Sequence, residues 1–333
     1  MRRRASAVVT LLSLLVAARA EAYVRSETDA GNPFYWKESC VPVTIYLNGF
    51  DRTSGMTPTQ IVKSMTAAAH TWSTDGVSCT SGDVTTNPYL EIVPTLAPAS
   101  ARPPAAAWDG RNSIIFRTES WSKSGQPGPG YPDEALAVTT VTARLDGHIV
   151  DADMELNGVT KQWANLDPGV GVPFDHSDTA VYDLQNTATH EFGHFIGLDH
   201  TCFVPGSGGP DLGADGKPRP KDDQGNDVPD CDSAPIVIQQ TVMFNRAVAT
   251  ETSKRMLSPD DTRAVCEIYA PSLEHLECAL DSPNPGCAIA AVPLPWHGGR
   301  GLRWGLPLGA LAVLATLAAR RRHRVTDPRR ALA

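Results

Sequence analysis

The sequence predicts a layered α/β domain over about residues 25–275. Three observations lead there: a β-branched strand followed at once by an amphipathic helix, a middle stretch of short strand segments that includes a hairpin, and two capped helices at the end. No internal repeat is present, and 41% apolar residues in 333 are ample for one large core.

Taken in order, Val41–Leu47 (VPVTIYL) alternates and is rich in β-branched residues, so it reads as the first strand. Thr57 and Pro58 then open a helix through Trp72. Thr57 can cap it, Pro58 suits the first turn, and Ile61, Met65, Ala68, Ala69 and Trp72 recur at helical spacing. Tyr89–Val93 and Ser113–Arg117 are short strand candidates, with the Pro/Ala-rich Thr95–Ala107 between them expected as an exposed loop. Leu136–Arg144 and His148–Asn157 form a hairpin across Leu145-Asp146-Gly147, since Asp-Gly is a strong turn signal. Asp183–Gly197 is the next helix, 203–233 a long Gly/Pro/Asp loop, and Ser258–Ile268 a last helix capped by Ser258 with Pro259 in its first turn.

The two ends stand apart from this domain. Residues 1–22 carry three arginines at 2–4, continue through an apolar run from Ala7 to Ala18 and finish in small-x-small triplets, the grammar of a secretory signal. At the far end, a linker at 276–301 turns rich in Pro and Gly, and 302–324 joins the apolar Trp304–Ala319 to an Arg cluster, leaving 325–333 as a cytoplasmic-type tail. Sixteen apolar residues fall short of the about 20 that span a bilayer, although the basic end fits a cytoplasmic stop. The segment resembles the C-terminal sorting tails of bacterial surface proteins, which implies export and contact with the membrane or envelope. Between the ends, Tyr23–Gly299 carries 17 Lys and Arg against 35 Asp and Glu, a net charge of −18. So acidic a body is a poor nucleic-acid binder and a plausible calcium binder.

All seven cysteines follow the expected cleavage site, which in an exported chain points to disulfides. Spacing does not give the pairing, though Cys202 and Cys231 bracket one loop and Cys278 and Cys287 another. No Cys-x-x-Cys is present, which argues against a cysteine zinc site.

The chemistry concentrates in His190-Glu191-Phe192-Gly193-His194-Phe195-Ile196-Gly197-Leu198-Asp199-His200. Residues four apart stack on one helix face, so His190 and His194 can share an ion. Gly197 can end the helix at positive φ and bring His200 back to the same ion. Three histidines leave a fourth position open, as in catalytic zinc sites, where the metal brings a water pKa toward about 7. Glu191 lies about 100° around the helix from His190, placed to accept that water's proton without being a ligand.

This stretch resembles the extended motif of the metzincins, zinc endopeptidases with a methionine turn beneath the metal. Thr241-Val242-Met243-Phe244 supplies Met243 for that turn. Asn245 stands where astacins and serralysins carry Tyr, whereas Gly197-Leu198-Asp199-His200, Ser258-Pro259-Asp260-Asp261 and Ile268-Tyr269 are similar to the matrixins. The resemblance covers roughly 40–270 and implies a twisted mixed sheet of about five strands with an antiparallel edge strand. It also implies an active-site helix at the cleft and a monomeric catalytic domain over 23–275. Leu136, Ala137, Val138 and Thr139 would form the edge strand that an extended peptide substrate joins, and residues 244–256 would wall the pocket for the side chain after the scissile bond. Arg246 or Arg255 would limit that pocket. The departures are a short pre-domain segment in which Glu38–Pro42 does not look like a cysteine switch, and a long interval from His200 to Met243.

Asp151, Asp153 and Glu155 alternate onto one face of their strand and are candidate calcium ligands, as is the acidic loop Asp222–Asp232; solvated acidic surface is the other reading of both. His148 is a candidate ligand for a structural zinc. The function expected is a zinc-dependent endopeptidase; the alternatives are a catalytically silent zinc-containing surface adhesion module and a non-peptidase zinc hydrolase.

Overall fold

The structure is a computed structural model that describes residues 23–73, 76–81, 84–122, 130–167, 180–206, 208–213, 216–269, 271–272 and 278. The expected signal segment 1–22, Cys287 and the apolar tail 302–324 lie outside the described residues. Among the described residues no helix is long and apolar enough to cross a membrane.

The described residues begin with β1 (Val24–Arg25), then β2 (Cys40–Tyr46), a short α1 (Phe50–Ser54) and α2 (Pro58–Trp72). The strands β3 (Cys79–Ser81), β4 (Val84–Pro88), β5 (Glu91–Leu96), β6 (Ser113–Arg117), β7 (Ala137–Ala143), β8 (Ile149–Asn157), β9 (Gln162–Ala164) and β10 (Val181–Asp183) follow. Next come α3 (Leu184–Phe195), β11 (Leu198–Asp199), the small pair β12 (Pro205–Gly206) and β13 (Gly209–Gly213), α4 (Ile236–Gln239), α5 (Pro259–Ile268) and β14 (Pro271–Ser272).

The result is a mixed α/β fold built on a five-stranded mixed sheet in the order β5-β2-β6-β8-β7. The first four strands are parallel, and β7 runs antiparallel to β8 at the edge, as its Asp-Gly hairpin requires. Helices α2 and α3 pack on each other and on the sheet, burying Met65, Ala68, Trp72, Phe192 and Phe195 against Ile45, Ile92, Met154 and Leu156. Local chemistry sets the helix starts. Thr57 and Gln60 make a reciprocal capping box at α2, Ser258 and Asp261 another at α5, and the Asp183 side chain accepts from the Asn186 N–H at α3.

Several expectations need correction. The strand expected at Tyr89–Val93 is Glu91–Leu96, because pairing with β2 holds the chain extended past Pro94. The hairpin β3–β4 had no alternating signal, and 203–233 contains β12–β13 rather than loop alone. The disulfides are Cys40–Cys278, Cys79–Cys266 and Cys202–Cys231. Cys278 therefore closes onto β2 instead of bracketing a loop with Cys287, and the domain's covalent frame reaches past 275. Three disulfides are compatible with an extracellular protein.

Candidate metal centre

Helix α3 is buried along most of its length, and aromatic donors from separate elements hold it in place. Trp72 Nε1 donates to Thr189 O at 2.7 Å, Trp36 Nε1 to Phe195 O at 2.8 Å, and Tyr269 Oη to Ile196 O at 2.8 Å. Gly193 sits where any Cβ would overlap Met243 Sδ, so the helix and the 241–244 turn can approach closely only at a glycine. Gly197 has φ +97° and turns the chain out of the helix against the Phe34 carbonyl.

That turn returns His200 to the face carrying His190 and His194. His200 Nε2 lies 3.2 Å from His190 Nε2 and 3.1 Å from His194 Nε2. The other ring nitrogens are already engaged, with His190 Nδ1 donating to Val242 O at 2.6 Å and His194 Nδ1 to Leu198 O at 2.9 Å. A carbonyl can only accept, so both rings carry a proton on Nδ1 and turn Nε2 toward His200. Both distances from His200 are within a few tenths of an ångström of the edge, about 3.3 Å, of a tetrahedron with metal–nitrogen distances of about 2.0–2.1 Å. Burial, followed by the nearby positive groups, holds His190 and His200 well below the usual histidine range, so they are neutral, as metal ligands must be. The three histidines are thus a group that could hold a metal ion.

Glu191 is 5% exposed. Burial raises its carboxyl above the usual range, while His194, a hydrogen bond from Thr139 and Lys254 oppose the shift. Thr139 Oγ1 donates to Glu191 Oε2 at 2.6 Å, tying the carboxylate to the edge strand β7. Glu191 and the three histidines open into a cleft of about 1000 Å³. Leu136, Ala137, Val138 and Thr139 of the edge-strand region line it, together with a second wall segment of Asn245, Arg246, Ala247, Val248 and Lys254.

The remaining predicted residues go elsewhere. Met243 is buried directly under α3. Asp151 Oδ2 accepts from the Asp109 and Gly110 N–H groups at 2.8 and 2.7 Å. Glu155 takes Arg117 Nε and Tyr131 Oη, both at 2.6 Å. Asp153 is buried with Oδ1 unpartnered, and burial first, then Asp151 and Asp109, push its carboxyl up to about 7. In the acidic loop, Asp223, Asp227, Asp230 and Asp232 are ion-paired with Arg263, Lys221, Arg219 and Arg246. His148 Nε2 meets Glu38 at 3.1 Å. Arg246 lines the cleft, whereas Arg255 turns away to Asp183 and Asp167.

Two residues had no functional reading in the sequence. Asp261 caps α5 and its Oδ2 also accepts from Val242 N–H at 2.9 Å, so one carboxylate fixes both the helix start and the turn whose carbonyl orients His190. The Ser-Pro-Asp-Asp signature announces the cap but not the second bond. Lys254 is 4% exposed in the cleft wall, and burial pushes its ammonium down to about 8. Nothing local in Thr-Ser-Lys-Arg marks it as buried. No protein-family model matches this chain, and no curated protein matches it.

Proposed function

We propose that the protein is a zinc-dependent endopeptidase of metzincin type, matrixin-like, acting on extended peptide segments outside the cytoplasm. The observation that carries the reading is the convergence of three imidazoles, with Glu191 beside them, on a cleft lined by the sheet-edge strand β7. In this reading α3 is the active-site helix, and the turn carrying Met243 is the methionine turn beneath the metal. His190, His194 and His200 hold the zinc, which when bound supplies Lewis acidity to the scissile carbonyl and to a water beside it.

The protein's own residues do the rest. Glu191 takes the proton of the attacking water and returns it to the leaving nitrogen as the C–N bond breaks. Burial lifts its basicity, and Thr139 holds the carboxylate in one orientation. β7 pairs only with β8 among the described strands, so its outer main-chain groups can take a substrate strand in antiparallel sense. The three disulfides support work in an oxidising compartment.

The test measures zinc content and peptide-library cleavage for the protein and for Glu191→Ala. One zinc per chain in both, with chelator-sensitive cleavage only in the parent, is the expected result. Equal zinc with no cleavage by either protein would replace the endopeptidase with a zinc-containing binding module.

A further inference from the structure

The cleft wall contains a buried cation with no carboxylate of its own. Lys254 is fixed at both ends: its N–H donates to Asn186 Oδ1 at 2.8 Å, and its ammonium donates to Phe244 O. An ammonium has three donors, and among the described residues this one has that single hydrogen bond and no ion pair. The acidic groups within electrostatic reach, Glu251, Glu191 and Asp261, are committed elsewhere. Glu251 accepts from Val248 N–H and Ser253 Oγ, Glu191 from Thr139 Oγ1, and Asp261 from Ser258 and Val242. Arg246 lines the same cleft but is ion-paired with Asp232, so Lys254 rather than Arg246 is the cation left for a ligand. A buried charge is unfavourable unless it is paired, and Lys254 lines the cleft, from which a ligand could supply the pair.

We infer that this wall selects an acidic substrate side chain: a Glu or Asp immediately after the scissile bond places its carboxylate on Lys254. The inference rests on the endopeptidase reading and gives that site its substrate class. A charge-assisted bond to a buried ammonium predicts cleavage about 10- to 100-fold faster in kcat/KM for Glu than for Gln at that position.

Two substitutions separate recognition from mere support of the turn. Lys254→Gln keeps a donor for Phe244 O but loses the charge, and Lys254→Arg keeps the charge. The Glu-over-Gln preference should vanish in the first and survive in the second. A readout independent of turnover is direct titration of the zinc-loaded protein with product-type peptides that begin with Glu or Gln and carry no scissile bond; the Glu peptide should bind more tightly, again only while residue 254 is charged. Cleavage by the parent without acidic preference, or a preference unchanged in Lys254→Gln, overturns the inference and leaves the endopeptidase standing. Absence of any cleavage by the zinc-loaded parent overturns both.

Discussion

Helix α3 and strand β8 each carry a regular row of side chains able to bind metal, yet only one row meets at a point. On the helix, residues four apart begin about 5–6 Å from each other and lean the same way, and a glycine turn adds the third ligand. On the strand, residues two apart begin about 6.6–6.8 Å apart and stand parallel, so Asp151, Asp153 and Glu155 share a face without sharing a centre. The neighbours complete the difference. Carbonyls take the outer nitrogens of His190 and His194 and leave the inner ones facing His200, whereas Asp151 and Glu155 spend their oxygens on Asp109, Gly110, Arg117 and Tyr131. Periodicity aligns ligands; a metal site also needs free lone pairs that converge on a cleft.

The largest effect that could break this contrast is on metal affinity. Losing one of three imidazoles in His200→Ala should weaken zinc binding about a thousandfold, or ~4 kcal/mol, by its share of a typical zinc-site binding energy. Glu155→Gln, by contrast, should leave zinc content unchanged. Competition with a chromophoric chelator measures both, and a similar loss in the two variants would mean that the strand row also contributes to the zinc site.

Next in size is the internal use of that row. Arg117 and Glu155 are an ion pair with side chains 5% and 0% exposed. Arg117→Met leaves a buried carboxylate without its cation and should cost about 3 kcal/mol of stability in denaturant titrations. Calcium should not restore it; calcium-dependent recovery would show that the row can act as an ion site once released.

The part of this contrast that was legible in the sequence is the part with short-range causes. The capped helices, the Asp-Gly hairpin and the His-Glu-x-x-His spacing lie within a few residues of their own determinants, so α2, α3, α5 and the β7–β8 pair came out nearly as read. The sequence also aligned the row on β8 correctly but could not say what would face it. Arg117 reaches Glu155 across 38 residues, and Cys40 reaches Cys278 across 238. Lys254 is buried only because the wall after Met243 folds back over Asn186, and no local pattern encodes that.

A smaller effect concerns how the two regions touch. Thr139 on the edge strand orients Glu191 on the helix through one 2.6 Å bond. Thr139→Val should lower kcat/KM about tenfold, equivalent to ~1.4 kcal/mol, with zinc content unchanged. Steady-state kinetics with metal analysis test this, and undiminished turnover would mean that Glu191 is held without its hydroxyl partner.

The smallest effect is a pH dependence confined to the strand row. Burial raises the Asp153 carboxyl to about 7 in the folded chain, while unfolded it titrates near about 3.9. Between these values the folded state holds a proton that the unfolded state has lost, so the Asp153 contribution to stability falls as pH rises from about 4 to about 7 and is level above. Asp153→Asn removes that slope and keeps an amide oxygen for the hydrogen bonds from Ser113 and Ala107. The stability difference between parent and variant should therefore shift in the variant's favour by about 1 kcal/mol or more between pH 5.5 and pH 8. Following that difference, with zinc saturating in both proteins, cancels the titration of the histidines common to the two chains. A difference that stays flat across the window would mean that Asp153 is ionised in the fold with a counter-charge beside it, and the two rows would then be more alike than their geometry implies.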